Sequence, residues 1–422
     1  MVVGGTRGDN SSTNTVEMLP LDDPVNSRCK SPASLPNNID RAVGVNFFPF
    51  WDVKARCECI VPPYYHGKDP KKYPKYFTDP KYVAKQPKDK CCCKGEFGIP
   101  YEKRTNGVTG HEWQAKKGVK WCRGALRGPL VCGGRINEGS PSRTCFLYSK
   151  AENKWNPRTS RSGVVPTLNQ PRELSAGMMH VPLGFVVTGG IEDISTGEVT
   201  QDGARMSTNI RLPIGIDRHC LAGNNAHWLM QRGYQTGKTD FLFAMGGYSN
   251  ELAGGYSNRA YIMRCDVGAL GSSGCGSLVW IRVSNMNVAR EGVMCGVVQD
   301  RNEYKVVVAG GLNKDGYRDE VEIYDMNNDR WDMGNRLPFG PRAFAASVPT
   351  PDVSVTMTEQ IRNPNSIGGM TFYIVGGEGP VTDEVWKYIP SGDSWSKMGA
   401  RLSEPRTAVT AMIVYQNQFQ GC

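Results

Sequence analysis

The sequence lacks any run of the ~18 to 20 consecutive apolar residues that a membrane-spanning helix needs, so no membrane span is expected. No helical period of any length stands out either. The 49 glycines, 27 prolines and mean hydropathy of −0.43 favour many short strands joined by turns. These features indicate an all-β fold and argue against a transmembrane role.

Histidine is scarce, and the five histidines form no HxH or HExxH pattern. No paired acid spacing marks a hydrolytic centre, and no paired CxxC knuckle marks a zinc site. A lone histidine near a strand end is more often packed or exposed than a ligand. We therefore expect no catalytic residue, no metal and no cofactor, and we interpret the protein as a non-enzyme.

A hydrophobic run that closes on two glycines occurs six times. The pairs are Gly4 and Gly5, Gly133 and Gly134, Gly189 and Gly190, Gly246 and Gly247, Gly310 and Gly311, and Gly376 and Gly377. The intervals between first glycines are 129, 56, 57, 64 and 66 residues. A period of this size predicts one repeat array, with a single insertion in the long interval.

Aromatic and basic residues recur after the glycine pairs. A strand ends in Tyr148, Tyr261, Tyr324 or Tyr388, and after a turn comes Trp155, Trp280, Trp331 or Trp395. The Tyr-to-Trp interval is seven residues in three units, which suits a tight hairpin. An arginine then precedes the next apolar strand, at Arg41, Arg172, Arg218, Arg290, Arg342 and Arg406.

These elements together resemble kelch repeats, and the resemblance implies a six-bladed β-propeller. It covers residues 1 to about 48 and about 121 to 422. The chain begins at the second strand of blade 1, so the run Thr407 to Tyr415 is predicted to supply the missing first strand and close the ring. We assign residues 1–48 to blade 1 and the first strand of blade 2, 49–120 to an irregular cysteine-rich insertion, and 121–422 to blades 2–6 and the closing strand.

The resemblance places the six arginines around one mouth of the central channel, where kelch adaptors capture acidic peptides through bidentate bonds. A second interpretation is structural, with each arginine holding the ring by pairing with a carboxylate or with backbone carbonyls. A residue repeated in every unit is more economically explained by architecture. The structural interpretation is therefore favoured.

The insertion holds the chain's net basic charge. From Lys54 to Lys120 there are sixteen Lys and Arg and seven Asp and Glu, an excess equal to the +9 of the whole chain. Candidate binding residues there are Lys68, Lys71, Lys72, Tyr73, Lys75, Tyr76, Lys81 and Tyr82. Such a surface suits acidic glycans, acidic matrix proteins or mineral. A solvated, cysteine-pinned loop is an equal alternative. No nucleic-acid partner is expected because no nucleic-acid-binding motif accompanies the charge.

Fourteen cysteines predict disulfides formed outside the cytosol. Cys132 and Cys145 are placed for a cross-strand bridge, and Cys265 and Cys275 for closing a Gly-Ser loop. Six cysteines in and beside the insertion could form three bridges, and the sequence does not show which of them pair: Cys57, Cys59, Cys91, Cys92, Cys93 and Cys122. Zinc is the less favoured use of these clusters, because adjacent cysteines are poorly spaced for one tetrahedral site.

Asn10-Ser11-Ser12 is the one plain glycosylation sequon. The N-terminus shows no signal peptide. Whether a leader peptide was removed by processing is left open by the sequence. We interpret the protein as a secreted, non-enzymatic binding or structural module for a protein or polyanionic partner. A second copy of the chain, in a homo-oligomer, is a further candidate partner. The alternative functions are a kelch-fold oxidase with a metal centre and a cytosolic kelch adaptor or actin-bundling protein. The oxidase is disfavoured because the histidines do not follow its metal-site pattern.

Overall fold

The computed structural model describes twelve ranges of the chain together with two short strands. The ranges are 1–19, 32–47, 128–149, 152–157, 165–180, 183–191, 194–200, 206–223, 239–266, 278–300, 303–351 and 370–414, and the backbone is also described at 101–103 and 113–115. Within these ranges there is no helix with the length and hydropathy that a membrane span requires.

The described residues form 31 strands and one 3-10 turn. In chain order they are β1 (Val2–Val3), β2 (Thr6–Arg7), β3 (Val16–Glu17), β4 (Ile39–Asp40), β5 (Val43–Phe47), β6 (Tyr101–Lys103), β7 (Trp113–Ala115), β8 (Gly128–Cys132), β9 (Arg135–Ile136), β10 (Cys145–Ser149), β11 (Lys154–Asn156), β12 (Ala176–His180), β13 (Gly184–Thr188), β14 (Thr196–Thr200), β15 (Ser207–Arg211), β16 (Cys220–Gly223), β17 (Thr239–Met245), β18 (Ala260–Asp266), β19 (Ile281–Val283), β20 (Met294–Asp300), β21 (Glu303–Ala309), β22 (Leu312–Asn313), β23 (Gly316–Tyr317), β24 (Val321–Asp325), β25 (Arg330–Met333), β26 (Ala346–Pro351), β27 (Met370–Val375), β28 (Val385–Ile389), the 3-10 turn Pro390–Gly392, β29 (Ser394–Lys397), β30 (Arg406–Thr407) and β31 (Thr410–Ala411).

The strands build a six-bladed β-propeller, as the repeat predicts. From the innermost strand outward, blade 1 is β31, β1 and β3; blade 2 is β5, β8, β10 and β11; blade 3 is β12 to β15; blade 4 is β16 to β19; blade 5 is β20, β21, β24 and β25; and blade 6 is β26 to β29. All neighbours within a blade are antiparallel. In blade 5, Val306, Val307 and Val308 are all buried, because both faces of the second strand pack in the core.

The ring is closed by the two ends of the described chain. In blade 1 the strand β31 pairs with β1, with Val2 opposite Ala411 and Val3 opposite Thr410. The predicted C-terminal closing strand is therefore confirmed. Because blade 1 uses both ends, loss of β31 would expose the edge of β1.

Each glycine pair joins its blade to the next one. The N–H of the second glycine donates to a carbonyl of the following blade, at 2.7 to 3.0 Å, in all six cases. The acceptors are the carbonyls of Ile39, Arg172, Ile216, Arg290, Arg342 and Arg406. The first glycine has positive φ, and a Cβ on Gly310 would lie 2.2 Å from the Arg342 carbonyl oxygen. Only glycine tolerates both conditions.

Tyr, Trp and a turn residue fasten the outer part of the blade. In blade 5, Tyr324 lies opposite Trp331 and donates its hydroxyl to Asp329, at 2.6 Å. Asp329 also accepts the Ser284 N–H, and the Trp331 ring nitrogen donates to the Ser284 carbonyl, at 2.9 and 2.8 Å. The same arrangement recurs in blade 2, where the turn residue is Asn153. The aromatic pair therefore also ties the blade to a preceding segment.

The attachment points of the predicted insertion lie at the end of blade 2 remote from its glycine pair. Phe47 pairs with Gly128, whereas Val43 pairs with Cys132, next to Gly133. Within 49–120 the structure describes one antiparallel strand pair, β6 with β7. The insertion's lysine and tyrosine candidates and its cysteines lie outside the described residues.

Candidate functional site

The six arginines belong to two structural classes, which corrects the expectation that all six line the channel mouth. Arg172, Arg290, Arg342 and Arg406 are 0 to 3% exposed. In each of these four, Nη1 donates to the carbonyl of the first glycine of its own blade. Their backbone carbonyls accept the bonds from the preceding blade described above. These four arginines hold the ring together, as the structural interpretation proposes.

Each of the four buried arginines is paired with a carboxylate, which is fully buried in blades 3 and 5 and partly exposed in blades 6 and 1. Arg290 Nη2 contacts Glu322 at 2.8 Å, and both side chains are fully buried. Glu322 also accepts the N–H groups of Asn287 and Val288. Burial lowers the pKa of Arg290, and the neighbouring glutamate charge opposes that shift. The other partners are Glu198 for Arg172, Glu384 for Arg342 and Glu17 for Arg406.

Blades 2 and 4 replace this ion pair with apolar side chains. The acceptor of the inter-blade bond is Ile39 in blade 2 and Ile216 in blade 4, so these isoleucines occupy the place of the buried arginines. Ile39 shares a core cluster with Phe146, and Ile216 shares one with Tyr261. Arg41 and Arg218 lie two residues further along the chain. Arg41 and Arg218 are therefore two residues away from the position that the buried arginines occupy in the other four blades.

Arg41 and Arg218 belong to a closed ring of hydrogen bonds at one end of the channel. One residue per blade takes part, and its N–H donates to the carbonyl of its counterpart in a neighbouring blade, at 2.8 to 3.2 Å. All six have positive φ, between 49° and 61°. We call these residues the mouth ring: Arg41, Leu174, Arg218, Gly292, Phe344 and Ala408.

Buried carboxylates hold Arg218 at the mouth. Its Nη1 lies 2.9 Å from Glu291 and 3.3 Å from Asp217. The guanidinium also stacks over the Tyr248 ring, at 5.6 Å from its centroid. The Arg218 side chain is 27% exposed, whereas that of Glu291 is 9% exposed. The Arg218 guanidinium is therefore more accessible to solvent than the Glu291 carboxylate.

Arg41 has a similar neighbourhood between blades 2 and 3. Its Nη1 lies 3.8 Å from Glu173, and its side chain is 30% exposed. Arg135 contacts both Glu173 and Asp40, at 3.3 and 3.1 Å. Arg135 follows a glycine pair directly and was not among the residues predicted from the sequence. Its only sequence signal is that position.

Burial raises the pKa of Glu173 and of Glu291. The charges of Arg41 and Arg135 act in the opposite direction on Glu173, and that of Arg218 does so on Glu291. The nearby Glu378 adds to the upward shift at Glu291. Both glutamates therefore take up a proton at a higher pH than an exposed glutamate.

A cavity of about 120 Å³ lies on the propeller axis. All six innermost strands contribute to its wall, with three consecutive residues from each: 44–46, 177–179, 221–223, 295–297, 347–349 and 411–413. None of these residues is charged, and the side chains are mainly those of methionine, leucine, valine and isoleucine. The channel interior is therefore uncharged and mainly apolar, with Asn46 and Ser347 as its polar lining residues, in contrast to the charged mouth.

Two disulfides are present among the described residues. Cys132 and Cys145 form the predicted cross-strand bridge in blade 2. Cys220 and Cys295 join the innermost strands of blades 4 and 5, a pairing that was not predicted from the sequence because the residues lie 75 positions apart. The predicted Cys265–Cys275 bridge lies outside the described residues, since only the backbone of Cys265 is described.

Two of the five histidines are buried and held neutral. Burial lowers the pKa of His180 to about 4 and that of His219 to about 3. The His219 ring lies 2.8 Å from the Thr188 hydroxyl. Within the described ranges no group of three or more His, Cys, Asp or Glu residues could hold a metal ion. Asn10, the predicted glycosylation site, is exposed in a turn after β2 with φ of 67°.

The fold and the site define a six-bladed β-propeller with a charged mouth above an apolar channel. No family model matches the chain, and no curated protein matches it. Among solved structures, that of YjhT matches with 14% sequence identity and a TM-score of 0.39, over 58% of this chain and 69% of that one. A likeness at this level carries no information about what this protein binds.

Proposed function

We propose that this protein is a non-enzymatic, extracellular, kelch-type propeller that binds an acidic partner at its channel mouth. The observation that carries the proposal is the pair Arg41 and Arg218, which stand at equivalent positions of the mouth ring. Both are partly exposed, and both are positioned by a carboxylate that is more deeply buried. Guanidinium groups held in this way suit bidentate recognition of carboxylates.

The guanidiniums retain free hydrogen-bond donors. Among the described residues, the contacts of Arg218 with carboxylates use Nη1 alone, and so does the contact of Arg41 with Glu173. Each group therefore keeps Nε and Nη2 for a ligand. Because Arg218 is already held by two carboxylates and by the Tyr248 ring, ligand binding costs this side chain less conformational entropy than it would cost a mobile arginine.

The extracellular part of the proposal rests on the two disulfides. One lies within a blade and the other between blades, and both are almost completely buried. Buried disulfides of this kind are typical of proteins that fold in an oxidising compartment. Thiol titration of the denatured, unreduced protein tests this part. Reaction of most of the fourteen cysteines would support the cytosolic adaptor alternative.

The binding experiment compares penta-glutamate affinity for the wild type and for Arg41→Met, Arg218→Met and the double variant, by fluorescence anisotropy. We expect each single change to weaken binding about tenfold or more, since a charge-assisted hydrogen bond contributes ~1.5 to 3 kcal/mol. Arg330→Met is the control, because Arg330 is 63% exposed on the outer strand of blade 5. Equal affinity of all variants would exclude the mouth as the site.

The non-enzymatic part has its own test. Metal analysis of the purified protein should find less than one copper per chain, and a stoichiometric copper would favour the oxidase alternative. A polyanion column, run with the whole chain and with a variant lacking residues 60–120, tests the insertion as a second surface. Unchanged retention would remove the insertion from the proposal.

A further inference from the structure

We propose that the central channel binds the apolar part of a small carboxylic acid whose carboxylate is held at the mouth ring. This inference rests on the proposed function, because it uses Arg41 and Arg218 as the anion-binding groups. It goes further by assigning the cavity on the axis as a second part of the same site. The ligand class is a free monocarboxylic acid with a phenyl or short alkyl group.

The cavity has the size and chemistry for an apolar group. Its volume of about 120 Å³ is close to that of the engineered apolar cavities of ~150 Å³ that bind benzene. Ala411 and Ile413 line it, are only partly buried and also pack against the core between blades 6 and 1. The polar lining residues are Asn46 and Ser347, both uncharged, and the Ser347 hydroxyl accepts the Cys295 N–H at 3.0 Å. A charged or strongly polar group would lose hydration in this channel without gaining a charged partner.

The mouth ring has two different halves. Blades 2, 3 and 4 contribute Arg41, Leu174 and Arg218, so this half presents two cations. Blades 5, 6 and 1 contribute Gly292, Phe344 and Ala408, which carry no charge. A ligand with one anionic end is therefore drawn to one side of the mouth, while its apolar body passes the uncharged side. Charge complementarity and the apolar wall together select an amphiphilic acid.

The spacing between the ring and the cavity limits the length of the ligand. In blade 2 the ring residue is Arg41 and the cavity wall begins at Gly44, three residues later. In blade 1 the corresponding residues are Ala408 and Ala411. Three residues of extended chain span about 10 Å. An acid whose phenyl ring enters the cavity therefore needs a spacer of several methylene groups between the ring and its carboxylate.

The experiment measures affinities of acetate, phenylacetate, 3-phenylpropionate, 4-phenylbutyrate and 5-phenylvalerate by titration calorimetry. We expect phenylacetate to bind no better than acetate. The affinity should then rise by about tenfold or more at 4-phenylbutyrate or 5-phenylvalerate, because the ring reaches the cavity. 4-Phenylbutanol, which lacks the charge, should bind at least tenfold more weakly than 4-phenylbutyrate.

Two variants test the channel with opposite changes of volume. Ala411→Met fills part of the cavity and should abolish the rise with chain length. Ile413→Ala enlarges it and should shift the preference to the longer acid. Ile413→Ala therefore provides an independent test if Ala411→Met fails to fold. A gradual rise through the series that neither variant changes would overturn the channel assignment.

The outcomes separate the two proposals. Penta-glutamate binding that depends on Arg41 and Arg218, without any chain-length effect, would leave the mouth as the site and refute the channel inference. If penta-glutamate affinity does not depend on either arginine, the proposal that the mouth is the anion-binding site is refuted. A chain-length effect that disappears in Ala411→Met and weakens in Arg218→Met supports both.

Discussion

The most direct test of how the blades are held together is to replace one buried ion pair with the apolar pair that blades 2 and 4 use. In blade 5, Arg290 and Glu322 are both fully buried. Blades 2 and 4 have isoleucine at the arginine position, in contact with a core that includes Phe146 or Tyr261. The perturbations are Arg290→Ile, Glu322→Phe and the combination of the two.

Each single change should destabilise the protein strongly. Arg290→Ile leaves Glu322 buried without a counter-charge and removes donors from the Gly310 and Glu320 carbonyls. Glu322→Phe leaves the Arg290 guanidinium unpaired and removes the acceptor of the Asn287 and Val288 N–H groups. Breaking a buried pair on one side costs ~3 to 5 kcal/mol. Independent effects would therefore add to about 6 to 10 kcal/mol.

The double variant should lose much less free energy of unfolding than the sum of the two single losses. An apolar pair of suitable volume often substitutes for a buried ion pair at little cost. We expect a loss of no more than about 3 kcal/mol, which gives a coupling energy of at least about 3 kcal/mol. The remaining loss reflects the carbonyl and N–H groups that the ion pair satisfied.

The assay is urea denaturation of the oxidised protein, followed by intrinsic tryptophan fluorescence and far-ultraviolet circular dichroism. Arg330→Ile is the matched control, since this exposed arginine should change the free energy of unfolding by less than about 0.5 kcal/mol. If the free energy of unfolding of the double variant falls by as much as the two single losses added together, then the ion pair and the apolar pair are not interchangeable between blades.

Three further predictions concern the ring and the mouth. Replacing Cys220 and Cys295 by alanine should lower the free energy of unfolding by about 4.5 kcal/mol, and removing the blade 2 disulfide should lower it by about 3 kcal/mol. The difference arises because the bridged residues are 75 apart in the first case and 13 apart in the second. Equal losses in denaturant unfolding would contradict this prediction. Gly310→Ala should cost at least about 2 kcal/mol, from positive φ and a backbone clash, whereas Gly399→Ala, with open space, should cost little in the same assay. The raised pKa of Glu291 means that the folded state holds its proton more tightly than the unfolded state, so its contribution to stability is complete below the unfolded pKa and falls as pH rises through the folded pKa. Unfolding of the wild type and Glu291→Gln from pH 4 to 7 should therefore show the wild type losing stability relative to the variant, and a difference that is constant with pH would exclude this assignment.

The number of blades and the ring closure could be predicted from local patterns. Each glycine pair marks a place where the backbone must pass another blade closely with positive φ, and such a requirement leaves a sequence signature in every unit. The spare apolar run after Arg406 likewise predicted the closing strand. The short cross-strand bridge between Cys132 and Cys145 was predictable because a hairpin keeps its two strands in register.

The roles of the arginines could not be predicted from the count of six. The inter-blade bond uses a backbone carbonyl, so the residue that supplies it can be arginine or isoleucine, and Ile39 and Ile216 carry no visible signal. Arg41 and Arg218, two residues later, were therefore grouped with the four buried arginines. Asn153 and Asp329 were missed for a related reason, since their bonds to tyrosine become evident only after the hairpin is folded.

The sequence by itself determined the fold, because repeated backbone requirements act locally and recur in each blade. Tertiary structure alone decided which arginines are buried, which two stand at the mouth, and that Cys220 reaches Cys295. These features depend on contacts between blades that are far apart along the chain. Charge, burial and access at the mouth arise only when six inner strands meet around one axis.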